Sequence, residues 1–179
     1  MPRTSTRILL SCAAIGVGGG LVAGPAGYLA LLFSAFGPML YGLTIGAHFL
    51  PSVVAFALLR RPGTAVLTGF IAGLVGAAFA PQWFWRYVAT GLLVGALLEL
   101  PFLLTRYRRW DAWLFYVSGA VAGALLGLAV FFAMGAEHYA WWAWVVALLC
   151  WVVSPPFFVW IGRLIAKALE RTGVARARA

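Results

Sequence analysis

A carboxylate inside an apolar run is the first side chain of this sequence that could do chemistry. Glu99 lies in GLLVGALLELPFLLTRYRRWD (Gly91–Asp111), where an apolar stretch ends in three arginines within four residues. A charge at membrane depth is costly unless it faces the protein interior or a wet cavity. We therefore expect Glu99 to point inward, where it could accept hydrogen bonds from an amino group or balance a cation.

The spacing around this carboxylate supports a contact surface. Gly91, Gly95 and Glu99 follow one another at i, i+4 and i+8, so they share one helix face. Pro101 has no N–H, which leaves the carbonyl of Leu97 as a free acceptor about one turn from the carboxylate. The pattern predicts a ligand site. The alternative is a Glu hydrogen-bonded to a neighbouring Thr, Ser or His, with the proline as a packing kink.

A polar stripe on another apolar run provides a possible partner for Glu99. Tyr41, Thr44, His48 and Ser52 follow helical spacing on one face. A neutral His can be buried, so His48 could hydrogen-bond either Glu99 or a ligand. An isolated histidine in a membrane is equally often a structural hydrogen-bonding group, and both interpretations stay open.

Aromatic side chains could complete such a site. Trp151 lies too deep for an interfacial belt, and Ser154–Pro156 is expected to break the helix just beyond it, as in a pocket wall. The exterior loops could form an aromatic lid over an organic cation or an ordinary interfacial belt. The loop candidates are Gln82, Trp83 and Trp85 after the third span, and Glu137, His138, Tyr139, Trp141 and Trp142 before the sixth.

Composition and charge indicate one all-α integral membrane domain over residues 1–179. Apolar residues make up 64% of the chain and charged residues 9%, against about 25% charged in a typical soluble domain. The net charge of +9 does not indicate nucleic-acid binding, because the basic residues punctuate apolar runs. Cys12 and Cys150 lack metal-ligand spacing, and no phosphate-binding loop motif occurs. We expect no metal and no cofactor.

Apolar runs and their breakers predict about six transmembrane helices. The segment Gly24–Pro38 between the first two is expected to be a short re-entrant or interfacial piece. The predicted spans are approximately 7–23, 39–59, 64–80, 88–105, 112–133 and 141–165.

The basic residues predict the orientation in the cell membrane. Twelve of thirteen fall on one side of the predicted spans, and only Arg86 lies opposite. Positively charged loops stay in the cytoplasm, so both termini are expected to be cytoplasmic. The twelve are Arg3, Arg7, Arg60, Arg61, Arg106, Arg108, Arg109, Arg163, Lys167, Arg171, Arg176 and Arg178.

Three stretches resemble the YkoE family, whose members are substrate-binding S components of energy-coupling factor (ECF) vitamin transporters. They are RRPGTAVLTGFIAGLVGA (Arg60–Ala77), LLVGALLELPFLLTRYRRW (Leu92–Trp110) and AKALERTGV (Ala166–Val174). The resemblance implies a six-helix protein that captures thiamine or hydroxymethylpyrimidine. It also implies docking onto a transmembrane coupling subunit and two cytoplasmic ATPases, through small residues of the first helix such as Ala14 and Gly18.

Two other functional classes remain as alternatives. A ligand-free membrane scaffold or assembly protein would explain why glycines recur four apart, but it would leave Glu99 unexplained. An intramembrane enzyme would rest on Glu99 and His48 alone, because the sequence lacks a nucleophile triad, paired acid and base groups or a metal cluster. A non-enzymatic transport role is the interpretation that we carry forward.

The predicted orientation can be tested by labelling single cysteines from outside intact cells. A cysteine at Gln82 or at Gly135 should react with an impermeant maleimide, and a cysteine at Gly63 should not. Labelling of position 63 from outside would overturn the orientation.

Overall fold

The computed structural model describes residues 6–36, 38–133, 135 and 138–172. Arg3, Glu137, Arg176 and Arg178 therefore lie outside the described residues. The described residues form helices joined by short turns and loops, with no strand among them, which confirms the predicted all-α class. In chain order the α-helices are α1 (Thr6–Phe36), α2 (Gly42–Ile45), α3 (Leu50–Leu59), α4 (Thr64–Ala77), α5 (Phe84–Leu104), α6 (Ala112–Ala133) and α7 (Trp141–Arg171). Short 3-10 turns lie at Pro38–Tyr41, Gly46–Phe49 and Pro81–Trp83.

Among the described residues, five helical segments are long and apolar enough to cross a membrane. They are Thr6–Phe33, Met39–Leu59, Pro81–Leu104, Ala112–Ala133 and Trp141–Arg171. The remaining predicted span, the third in chain order, corresponds to α4, whose 14 residues rise only about 21 Å. Successive segments alternate in direction, so the loops around Arg60 and Arg108 meet at one end. We call this the basic end.

The segment Gly24–Pro38 is not a re-entrant piece, which corrects the sequence prediction. α1 continues through Pro25 to Phe36. Neighbouring glycines let other side chains pack directly on this part of α1, because a Cβ at Gly24 would collide with the ring of Phe79. The Tyr87 hydroxyl donates to the carbonyl of Gly24 over 3.3 Å. Tertiary packing and this hydrogen bond offset the one backbone bond that the proline removes.

α7 also continues where the sequence predicted a break, passing through Pro155 and Pro156. The glycines of α6 offset the backbone hydrogen bonds that the two prolines remove, because they let α6 and α7 approach closely at the prolines. A Cβ at Gly119 would lie 2.9 Å from a methyl of Val159, and one at Gly123 would collide with the Trp151 carbonyl. Apolar contact along this seam therefore stabilises a helix that its own sequence disfavours.

The segment 38–59 is the irregular element of the fold. Pro51 has no N–H, and the chain ahead of it tightens into the 3-10 turn Gly46–Phe49. Ser154 of α7 supports this turn from the side. Its hydroxyl accepts from the N–H of Gly46 over 3.2 Å and donates to the carbonyl of Leu43 over 2.8 Å.

Glu99 faces the protein interior, as the sequence predicted, and only 5% of it is exposed. Its carboxylate lies at the N-terminus of α4, whose first N–H groups have no partner within the helix. One oxygen accepts from the N–H of Ala65 over 2.8 Å and from that of Val66 over 3.3 Å. The other accepts from the N–H of Gly63 over 2.8 Å. A negative charge there also interacts favourably with the helix dipole.

Tyr107 adds a fourth hydrogen bond to Glu99. Its hydroxyl donates to the second carboxylate oxygen over 3.0 Å, from the loop that follows α5. Burial, reinforced by the hydrogen bond to the Glu99 carboxylate, raises the pKa of Tyr107 to about 12. The hydroxyl therefore keeps its proton at neutral pH and remains a donor. Glu99, with its four donors, connects α4, α5 and the loop before α6, and we call this group the Glu99 clamp.

The Glu99 clamp predicts a stability defect that does not depend on any ligand. Glu99→Gln keeps the side-chain size but removes the charge and replaces one acceptor oxygen with an N–H₂ group. We expect it to lower the unfolding temperature in detergent, in line with a cost of about 1–3 kcal/mol for buried groups left without partners. Tyr107→Phe should give a smaller decrease, because it removes one bond of four.

Asp111→Asn is the matched control, since Asp111 is an exposed carboxylate in the same loop region. Differential scanning fluorimetry of the variants in the same detergent gives the comparison. An unfolding temperature for Glu99→Gln equal to that of Asp111→Asn would show that the clamp does not stabilise the fold.

Candidate functional site

A cleft lies toward the end of the bundle opposite the basic end. The free space inside it is about 20 Å³, and it opens to solvent. The residues that line it come from α1, the irregular segment 38–59 and the first two turns of α5. They are Gly27, Tyr41, Ile45, His48, Arg86, Tyr87 and Thr90. A second, smaller space of about 10 Å³ adjoins it through His48 and Tyr87 and extends between α4 and α5 along Gly69, Gly73 and Gly91.

Local backbone irregularity places the central side chains of the cleft. His48 belongs to the 3-10 turn that Ser154 supports, and its ring centroid lies 6.0 Å from that of Tyr87. Tyr87 is fixed in turn by its hydrogen bond to Gly24. The wall behind Tyr41 is Trp151, whose ring stacks on it at 5.8 Å. Two tyrosines and a histidine thus line one small space.

Arg86 brings a positive charge to the cleft. Its guanidinium lies 4.5 Å from the ring centroid of Trp83, a cation–π contact that holds it at the start of α5. No carboxylate is among the residues that line the cleft. The arrangement can stack a planar ring and hydrogen-bond its polar edge, and its electrostatics favour a neutral or anionic molecule.

Several predicted site residues meet in this region. Tyr41 and His48 line the same cleft, as their helical spacing indicated. Trp83 borders it through Arg86, and Trp151 lies behind Tyr41. Trp151 is 1% exposed, and its Nε1–H has no hydrogen-bond partner within the described part of the chain. Ligand contact by these residues stays a prediction.

Other predicted site residues lie elsewhere. Glu99 follows Thr90 by nine residues of α5, about 13 Å of helix rise, and its carboxylate is occupied by the clamp. Gln82 is exposed, and Trp141 is 79% exposed at the start of α7. Tyr139 stacks on Phe131 at 5.7 Å. Glu137 lies outside the described residues. The structure therefore does not bring Glu99 to His48, and the proposed lid residues stay predictions.

The sequence analysis did not select Arg86, Tyr87 and Thr90. One signal was available for Arg86, because it is the only basic residue on its side of the predicted spans. Thr90 follows Arg86 at i+4 on the same helix face. Tyr87 offered no signal, since its role depends on the carbonyl of Gly24, 63 residues earlier in the chain.

The predicted docking residues lie on an uncovered face of α1. Ala14 and Gly18 are exposed, and a Cβ at Gly18 would meet nothing within 4 Å. Gly16 and Gly20 point the other way, where α4 approaches so closely that their Cβ atoms would collide with it. Gly16 and Gly20 thus allow close packing of α1 inside the bundle, and Gly18 leaves a flat surface on the opposite face of the helix.

Comparisons with known proteins agree with this architecture. A family model described as "ABC-type cobalt transport system, permease component" matches residues 8–125. The chain is 25% identical over 150 residues to the "Putative HMP/thiamine permease protein YkoE" of Bacillus subtilis (strain 168), which covers 83% of this chain and 75% of that protein. A solved structure, "Crystal structure of an S-component of ECF transporter", superposes with a TM-score of 0.88. It is 21% identical and covers 98% of this chain and 90% of that one.

These comparisons confirm the resemblance to YkoE that the three sequence stretches indicated. The superposition shows that the chain has the fold of that S component. Because the family model covers more than half of the chain, the chain belongs to the family of permease components of ABC-type cobalt transport systems, and it is a membrane transport protein.

Proposed function

We propose that this chain is the substrate-capture subunit of an ECF-type vitamin importer and that its substrate is a thiamine-related pyrimidine. The observation that carries the proposal is the cleft in which Tyr41, His48, Tyr87 and Thr90 surround a space open to solvent. The similarity to a putative HMP/thiamine permease supports the ligand class. Under the proposed orientation, with cytoplasmic termini, this cleft lies in the outer half of the membrane.

The lining fits an aminopyrimidine. Ring faces of Tyr41 and Tyr87 can stack on a planar heterocycle. His48 and Thr90 each offer atoms that can donate or accept at ring nitrogens, an amino group or a hydroxyl. Arg86 and the lack of a lining carboxylate disfavour a thiazolium cation. Hydroxymethylpyrimidine, which is neutral, therefore fits this cleft better than thiamine does.

Cobalt is named in the description of the matching family. Within the described residues, no three His, Cys, Asp or Glu side chains come together as a metal site would need. The aromatic and hydroxyl-bearing cleft is instead the kind of surface that binds a small organic molecule. We therefore infer an organic substrate for this member.

Transport by such a subunit requires partners. The 179 residues carry no phosphate-binding loop motif, and we propose that ATPases on other chains supply the energy. We propose a transmembrane coupling subunit and two cytoplasmic ATPases, with the coupling subunit against the exposed face of α1. Ala14 and Gly18 would let a partner helix approach to backbone contact there.

The ligand site can be tested by calorimetric titration of hydroxymethylpyrimidine and thiamine into the detergent-purified protein. His48→Ala should weaken binding of hydroxymethylpyrimidine about tenfold, the value of roughly one buried hydrogen bond. His138→Ala is the matched control, because it removes the same side chain from the exterior loop. Equal losses in the two variants would place the site in the loops. Loss only in Glu99→Gln would place it at the clamp.

The docking face can be tested by co-purification with a coupling subunit. Gly18→Leu and Ala14→Trp should reduce the recovered complex several-fold, since bulk there blocks close helix approach. Titration of hydroxymethylpyrimidine into the isolated variants should be unchanged. Val121→Trp is the control, because Val121 is 51% exposed on α6, away from this face. Unreduced recovery for both α1 variants would mean that the partner docks elsewhere.

A further inference from the structure

A second cleft, at the basic end, is not used by the proposed transport site. It lies between the end of α3, the start of α6 and the last turns of α7, and the free space inside it is about 70 Å³, open to solvent. It is lined by Ala57, Arg60, Trp110, Phe115, Arg163, Ala166, Lys167 and Glu170. No residue of α1 lines it, so it is separate from the proposed docking face.

The charge of this cleft is not neutralised by the protein. Three basic side chains and one acidic side chain line it. None of Arg60, Arg163 and Lys167 forms an ion pair in the part of the chain that the structure describes. Arg163 and Lys167 are four residues apart on α7, so both project from one face toward the same space.

Aromatic rings hold the central cation in place. The guanidinium of Arg163 lies 5.7 Å from the ring centroid of Phe115 and 5.4 Å from that of Tyr116. Such contacts restrict the side chain while leaving its N–H donors free. A guanidinium with free donors suits the oxygens of a phosphate, which it can contact in pairs.

The position of the cleft distinguishes a lipid from a soluble anion. Arg163 lies on the same face of α7 as Trp160, one turn earlier, and Trp160 is 49% exposed. Leu164, four residues after Trp160 on the same stripe, is also exposed, at 46%. Apolar side chains therefore continue from the basic cleft along the outside of the helix, toward the hydrocarbon. A ligand with a phosphate head and acyl chains would contact both surfaces.

We propose that this cleft binds the headgroup of an anionic phospholipid, with Arg163 and Lys167 on the phosphate and Arg60 at its rim. Basic pockets between membrane helices are suited to such headgroups. The lipid would fill the space between α3, α6 and α7 from the membrane side. This site is independent of the proposed substrate and of its cleft.

The test is native mass spectrometry and thermal unfolding of the purified protein with dioleoylphosphatidylglycerol or dioleoylphosphatidylcholine. Wild type should retain the anionic dioleoylphosphatidylglycerol selectively and should unfold at a higher temperature in its presence. In Arg163→Gln with Lys167→Gln we expect about thirtyfold weaker retention, since each basic side chain near an anionic lipid contributes roughly fivefold.

Two matched variants separate the cleft from general surface charge. Arg108→Gln with Arg109→Gln removes two exposed charges from the same end and should retain the lipid as wild type does. Arg163→Lys with Lys167→Arg keeps both charges and should restore most of the retention. If Arg108→Gln with Arg109→Gln instead loses retention to the same extent as Arg163→Gln with Lys167→Gln, the proposal is overturned. Binding would then reflect overall charge.

Further arms distinguish the other possible occupants. Inorganic phosphate and glycerol phosphate should not raise the unfolding temperature at concentrations where the lipid does. If they do, the site takes a soluble anion and the lipid proposal is wrong. Should Arg163 prove essential for packing, Arg60→Gln alone, at an exposed position, should still reduce retention about fivefold. Retention of the lipid could instead stay unchanged in Arg60→Gln and in Arg163→Gln with Lys167→Gln. If the same variants no longer co-purify with the coupling subunit, the cleft binds a protein partner and the lipid proposal is wrong.

Discussion

The Glu99 clamp is the interaction on which the basic end of this protein depends. A buried carboxylate is costly in a membrane because water cannot solvate it, and here four donors replace the water. Three of them are N–H groups at the start of α4, which need acceptors of their own. The carboxylate thus gives the N–H groups of α4 their acceptors, and those N–H groups give the buried carboxylate its donors. The consequence is a fixed geometry among α4, α5 and the loop that carries Tyr107.

The two ends of the bundle differ in how they are stabilised. At the basic end a charged hydrogen-bond network and a cluster of rings around Phe56 and Phe102 hold the loops. Toward the other end the chain is irregular, with Pro25 in α1 and a 3-10 turn at His48. Irregular backbone at membrane depth is tolerated where it lines a cavity. This contrast explains why the cleft forms among α1, the segment 38–59 and the start of α5, away from the clamp.

The sequence predicts the helices well and their continuity poorly. Apolar run length is a local property, so the membrane class, five of the spans and the inward face of Glu99 follow from it. Whether a proline ends a helix depends on what packs against it, and Gly123 of α6 decides this for Pro155 from more than thirty residues away. The partner of Glu99 could have been inferred in part. Pro62–Gly63 precedes a helix whose first N–H groups need an acceptor, and a buried carboxylate nearby is a natural one.

Arg86 connects the topology of the protein with the selectivity of its cleft. Basic residues are expected on the cytoplasmic side, so one at the opposite end has a cost that some interaction must offset. The stacking of its guanidinium on Trp83 supplies part of that stabilisation, and a polar ligand beside Tyr41 and Tyr87 could supply more. A cationic ligand could not, because two positive charges would then share a small space without a lining carboxylate. Under the proposed function, the same residue that breaks the charge pattern along the chain would therefore set the charge that the cleft accepts.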